Sequence, residues 1–210
     1  MAKIFLLASC FLLPLFALEI IDKPIDFGPN RIVLTRQYIK QHYGIDTQTI
    51  RIVPRMIVIH YTAIPTLDKS WKAFKPQTLP GNRADIARAS ALNVSAHYLV
   101  DRNGTIYRLM PETRMARHVI GLNHCAIGIE NVGSDDLTPA QLEANRRLIE
   151  YLMRKYPTIR YLIGHYEYRH FEGSPLWLEK DAGYRTQKSD PGRSFMEKLR
   201  TRFPSLKNRP

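Results

Sequence analysis

Apolar residues in this chain fall in short blocks between turn signals, the pattern of a domain that alternates strands with helices. Met56-Ile57-Val58-Ile59 is an unbroken apolar block with three β-branched members, and it predicts a buried strand ending on His60. Val94-Ser95-Ala96-His97-Tyr98-Leu99-Val100 predicts another strand, and Asn103-Gly104 is a hairpin signal that should return residues 105–110 beside it. Ala126-Ile127-Gly128-Ile129-Glu130-Asn131 predicts a short strand ending on a carboxylate, and residues 160–164 predict one ending on His165. Helical patterns cover residues 36–43 up to Gly44, residues 68–74, residues 85–91 and residues 194–203. Thr138-Pro139-Ala140-Gln141 is a capping box with proline at the first helical position. The helix it opens should run to about Lys155, with Leu142, Leu148, Ile149, Leu152, Met153 and Tyr156 as its apolar face. Residues 166–187 mix aromatic, charged and Gly/Pro positions and predict a long loop, which in a compact domain is usually functional. The fold class expected is α/β, with a mixed central β-sheet flanked by helices.

The amino end departs from this pattern. Met1-Ala2-Lys3 is a short basic start, and residues 4–17 are almost continuously apolar. A transmembrane helix needs about 20 such residues, so residues 1–17 are expected to be a signal peptide cleaved near Ala17. The mature protein would then be exported, to the periplasm or outside the cell. An uncleaved membrane anchor is the alternative, and Leu7-Ala8-Ser9-Cys10 has the form of a lipoprotein box. Residues 18–50 are expected to form an extension packed on the domain, and residues 51–210 the domain itself.

Composition adds two constraints. Without residues 1–17 the only thiol is Cys125, so an exported chain has no internal disulfide and must rely on its core or on a metal. The formal net charge of +12 favours anionic surroundings, and export makes these an anionic envelope surface rather than nucleic acid.

Three predicted strand ends carry a chemical group, namely His60, Glu130 and His165, and Lys188 and Asp190 follow in a turn. Two imidazoles and one carboxylate make a three-ligand shell suited to catalytic zinc. The separations are long, and spacing alone leaves open that these are unrelated polar residues near strand ends. His97 falls inside a predicted strand and reads as structural, while His124 and His170 have no motif behind them. Tyr61 and Trp177 suit either a groove wall or packing.

Five short motifs then occur in order: Ile59-His60-Tyr61-Thr62-Ala63, the stretch from Val94 through His97 to Asp101, Ile127-Gly128-Ile129-Glu130, Ile163-Gly164-His165, and Lys188-Ser189-Asp190-Pro191-Gly192. Together they resemble the zinc-dependent N-acetylmuramoyl-L-alanine amidases of the type-2 amidase family, which share a fold with the peptidoglycan-recognition proteins. The resemblance implies one zinc ion per chain on His60, His165 and Asp190, with Glu130 as catalytic carboxylate and Lys188 as the catalytic basic residue, two positions before the carboxylate ligand, that stabilises the oxyanion. It places His118 in the wall of the substrate groove beside Arg117, where the family usually has tryptophan, and Tyr61 is a further candidate for that wall. It also implies peptidoglycan or muropeptides as substrate, a catalytic domain over residues 51–210, and a monomer. A peptidoglycan-binding module of the same fold that does not cut is the alternative.

Overall fold

The computed structural model describes residues 18–81 and 84–210. The expected signal peptide lies outside the described residues, and among them no helix is long and apolar enough to cross a membrane.

Six strands form one sheet in the order β1-β4-β3-β5-β2-β6: β1 (Ile21–Asp22), β2 (Met56–Tyr61), β3 (Tyr98–Val100), β4 (Ile106–Arg108), β5 (Ala126–Asn131) and β6 (Tyr161–Gly164). Only the β3–β4 hairpin is antiparallel, so the sheet is mixed as expected. The central strands β2 and β5 are buried on both faces, which explains their nearly continuous apolar sequences. Helices α4 (Pro139–Lys155) and α5 (Arg193–Arg200) cover one face. There Ile57, Ile59, Ile127, Ile129 and Leu162 pack against Leu148, Ile149, Leu152, Met196 and Leu199. Met56, Val58, Ala126 and Ile163 point to the other face and join a second core with Tyr38, Tyr43, Leu122, Tyr168 and Phe171.

The start of α4 follows the sequence closely. Thr138 Oγ1 accepts from the backbone N–H of Gln141, and Gln141 Oε1 accepts from that of Thr138. Other elements differ from expectation. The first helix, α1 (Pro29–Tyr38), begins at Pro29 and passes into a π-helical turn, Ile39–Tyr43, that ends on Gly44 in the left-handed conformation. Gly28 is the N-cap of α1 and Pro29 opens it, since proline at the first helical position has no N–H to waste. Residues 94–97, of which 95–97 are buried, lie outside β3, because backbone N–H groups there go to single partners such as Arg117 O and Gly128 O rather than to a ladder. The short helices α2 (Leu67–Phe74) and α3 (Ala84–Ala87) follow β2. Residues 166–171, expected as the start of a long loop, belong to a 3-10 helix, His165–Phe171.

Residues 18–50 are joined to the rest of the chain through β1, which adds an edge strand to β4, and through a buried ion pair. His42 Nδ1 donates to Glu179 Oε1 at 2.9 Å and its Nε2 donates to Ala89 O at 2.9 Å, tying the π turn to the long loop and to the segment after α3. Burial alone would lower the His42 pKa, but these two acceptors outweigh it and the nearby Arg117 charge, so it is raised. A raised folded-state value stabilises the fold fully below about pH 6.5 and is lost as pH climbs through the folded value. Urea midpoints are therefore expected to fall more between pH 6 and pH 9 in the parent chain than in His42→Gln. Equal falls would show that the pair carries no charge.

Candidate metal centre

The strand register builds most of the site. Side chains alternate between faces, so Met56, Val58 and His60 share a face, and in β5 their partners Ala126, Gly128 and Glu130 share it too. In β6 the partners of Met56 and Val58 are Tyr161 and Ile163. Two residues further, the same alternation brings His165 into the row of His60 and Glu130, at the carboxyl ends of parallel strands where sites are usually built. The structure therefore gathers three chemical groups on one sheet edge. His60, Glu130, His165 and Asp190 are all buried, none more than 8% exposed.

Asp190 arrives from the turn that begins at Lys188. Tyr61 and Ser189 join their hydroxyls at 2.9 Å, and Tyr166 N–H donates to Asp190 O, so the turn is fastened to the end of β2 and to the 3-10 helix. The Asp190–Pro191 peptide is cis. Gly164 leaves room for the turn beside β6, because a Cβ there would lie 2.7 Å from the Tyr166 ring and 3.0 Å from Pro191 Cδ.

His60 Nδ1 and His165 Nδ1 are 3.0 Å apart, and Asp190 Oδ2 lies 3.1 Å from the first and 3.0 Å from the second. Zinc bonds of about 2.0–2.1 Å in tetrahedral geometry set ligand atoms about 3.3 Å apart, so this triangle fits one such ion. The donor set fits as well. Burial pushes the His165 pKa down to about 4 against the pull of Asp190, leaving a neutral imidazole at neutral pH. Burial would raise Asp190, but the two imidazoles outweigh it and hold the carboxyl well below the usual range. The site thus presents the ring nitrogens of two imidazoles and one carboxylate oxygen.

A cavity of about 580 Å³ opens beside this triangle, lined by Tyr61, Glu130 and Lys188 at the metal end and by Asn93, Arg117 and Tyr184 further along. Lys188 is near enough for its charge to act on His165. His118 also lines the cavity, with its Nδ1 3.1 Å from His60 Nε2. Arg117 is buried and donates to the carbonyls of Ile86, Ser90 and Leu92 and to the Tyr184 hydroxyl. Its guanidinium ties the segment after α3 to the cavity wall, a task that its sequence position beside His118 did not signal. Trp177 packs against Gly121, Tyr168 and Arg185 instead of lining the cavity. His97 is held at both nitrogens, accepting from Gly128 N–H and donating to Arg114 O. His124 is half-buried and edge-on to Tyr43, and loss of water around its ring pushes its pKa down to about 4.

The family model described as N-acetylmuramoyl-L-alanine amidase matches residues 46–193. Over 73 residues the chain is 34% identical to the endolysin of Escherichia phage T7, covering 31% of this chain and 48% of that protein. The chain thus spans about half the length of the curated relatives it matches. Among solved structures, N-acetylmuramoyl-L-alanine amidase LysC from Clostridium intestinale is 22% identical with a TM-score of 0.53, over 90% of this chain and 99% of that one. Human PGRP-IBETAC, solved in complex with glycosamyl muramyl pentapeptide, is 20% identical with a TM-score of 0.53, over 78% of this chain and 92% of that one. At such identities these structures speak to the fold, and the fold is the mixed sheet described above. With a matched region that takes in every strand of the site, the chain belongs to the N-acetylmuramoyl-L-alanine amidase family.

Proposed function

We propose that the protein is an exported zinc amidase that hydrolyses the amide between N-acetylmuramic acid and L-alanine in peptidoglycan or its fragments. The observation that carries this reading is the convergence of His60 Nδ1, His165 Nδ1 and Asp190 Oδ2 on one point beside a cavity. These three residues would hold one zinc ion. When bound, zinc supplies Lewis acidity, which polarises a carbonyl oxygen and makes a nearby water acidic near neutral pH.

The remaining chemistry falls to the chain. Glu130 takes the proton of the attacking water and passes it to the departing amine of L-alanine. Its position supports this, since it sits directly across from His60 in the β2–β5 register and lines the cavity. Lys188 donates to the oxyanion that develops on the scissile carbonyl, an effect commonly worth about 3 kcal/mol. Tyr61, Arg117 and His118 form the wall that orients substrate, Arg117 through the segment it holds in place. A hard carboxylate as third ligand suits an oxidising compartment better than a thiolate.

Digestion of purified sacculi tests the reading. The expected result is release of peptides with free L-alanine amino ends, abolished by a chelator and restored by zinc. Chelator-insensitive binding of sacculi with no release would instead support a binding module.

A further inference from the structure

We infer that His118 is a positioning residue of the metal centre, holding His60 in the one tautomer that leaves Nδ1 bare towards His165 and Asp190. The inference rests on the zinc reading above and adds a residue to it that acts through a ligand rather than on the metal. It starts from Ala126 O, which lies 3.2 Å from His118 Nε2. A carbonyl oxygen can only accept, so His118 Nε2 carries hydrogen. That carbonyl fixes the single hydrogen of the His118 ring at Nε2. Its Nδ1 is then a lone pair, and 3.1 Å away it accepts from His60 Nε2–H. When the one hydrogen of the His60 ring is on Nε2, its lone pair is on Nδ1, the atom that faces the ligand triangle.

The fold keeps a place for this ring. Gly128 stands in β5 two residues before Glu130, on the same face of the sheet, and a Cβ there would lie 2.8 Å from His118 Cγ. The imidazole therefore lies directly on the strand, edge-on to His60 with ring centroids 5.2 Å apart. Asn123 Oδ1 accepts from the backbone N–H groups of His118 and Val119 at 2.9 and 2.8 Å, fixing the backbone that carries the ring. Sequence gave no hint of the relay, because residues 60, 118, 126 and 128 meet only through the sheet. Partners of this kind typically strengthen metal binding 10- to 100-fold by fixing ring orientation and ligand basicity.

Zinc affinity, measured on the full chain by competition with a chromophoric chelator and without substrate, tests the inference. His118→Leu, which fills the space but offers no acceptor, is expected to bind zinc about 10- to 100-fold more weakly than the parent. His118→Asn puts an amide oxygen near the place of Nδ1 and should recover most of that loss. Gly128→Ala should weaken binding by displacing the ring without altering it. Leucine and parent chains of equal affinity, or asparagine as weak as leucine, would overturn the role assigned to His118 while leaving the zinc centre standing. A parent chain that takes up no zinc would overturn both. Nitrogen-15 shifts of the zinc-loaded parent chain need no variant: the neutral Nε2–H form of His118 is expected, and the Nδ1–H form would refute the relay.

Discussion

Asp190→Ala is expected to lose zinc more than about a hundredfold and to lose turnover with it, since even a partner one step removed from a metal commonly costs 10- to 100-fold. The argument is geometric. Asp190 Oδ2 supplies two of the three short edges of the ligand triangle, and no other carboxylate is grouped with His60 and His165 among the described residues. It also supplies the only carboxylate in that set, so its removal leaves two imidazoles to hold a divalent cation. Equilibrium dialysis against buffered zinc, with turnover measured on the same samples, checks both halves. An Asp190→Ala chain that keeps zinc and activity would show that the metal is held elsewhere.

Glu130→Gln should separate binding from chemistry. The substitution keeps the shape and the hydrogen-bonding reach of the side chain but removes its ability to take a proton. Zinc content and sacculus binding should stay at parent levels while turnover falls about 10²- to 10⁴-fold, the range for loss of a general acid or base. The buried place of Glu130 across from His60 makes this the sharper of the two carboxylate experiments, because Glu130 is not a member of the ligand triangle. Steady-state kinetics on a soluble muropeptide checks it. Unchanged turnover would move the proton-transfer role to another group.

Much of the site was legible in the chain because strands announce themselves locally. The blocks Met56-Ile57-Val58-Ile59, Ala126-Ile127-Gly128-Ile129 and Tyr161-Leu162-Ile163-Gly164 each precede a chemical residue by the same even interval, and a period of two then puts all three groups on one face. What the sequence did not show depends on contacts between distant segments. Asp190 reaches the triangle through the Tyr61–Ser189 hydroxyl pair, 128 positions apart. Arg117 finds its acceptors on backbone carbonyls, which carry no residue signature. The two-residue β1 has no pattern of its own and exists because β4 offers it an open edge. The helix from Pro29 was obscured because Gly-Pro marks turns and helix starts alike.

The central claim is that two imidazoles and one aspartate share a single divalent ion. X-ray absorption at the zinc edge of the loaded parent chain tests it most directly. One zinc per chain is expected, with only nitrogen and oxygen neighbours at about 2.0–2.1 Å and the imidazole scattering signature of two histidines. A sulfur neighbour at about 2.3 Å, or a chain that retains no zinc, would contradict it.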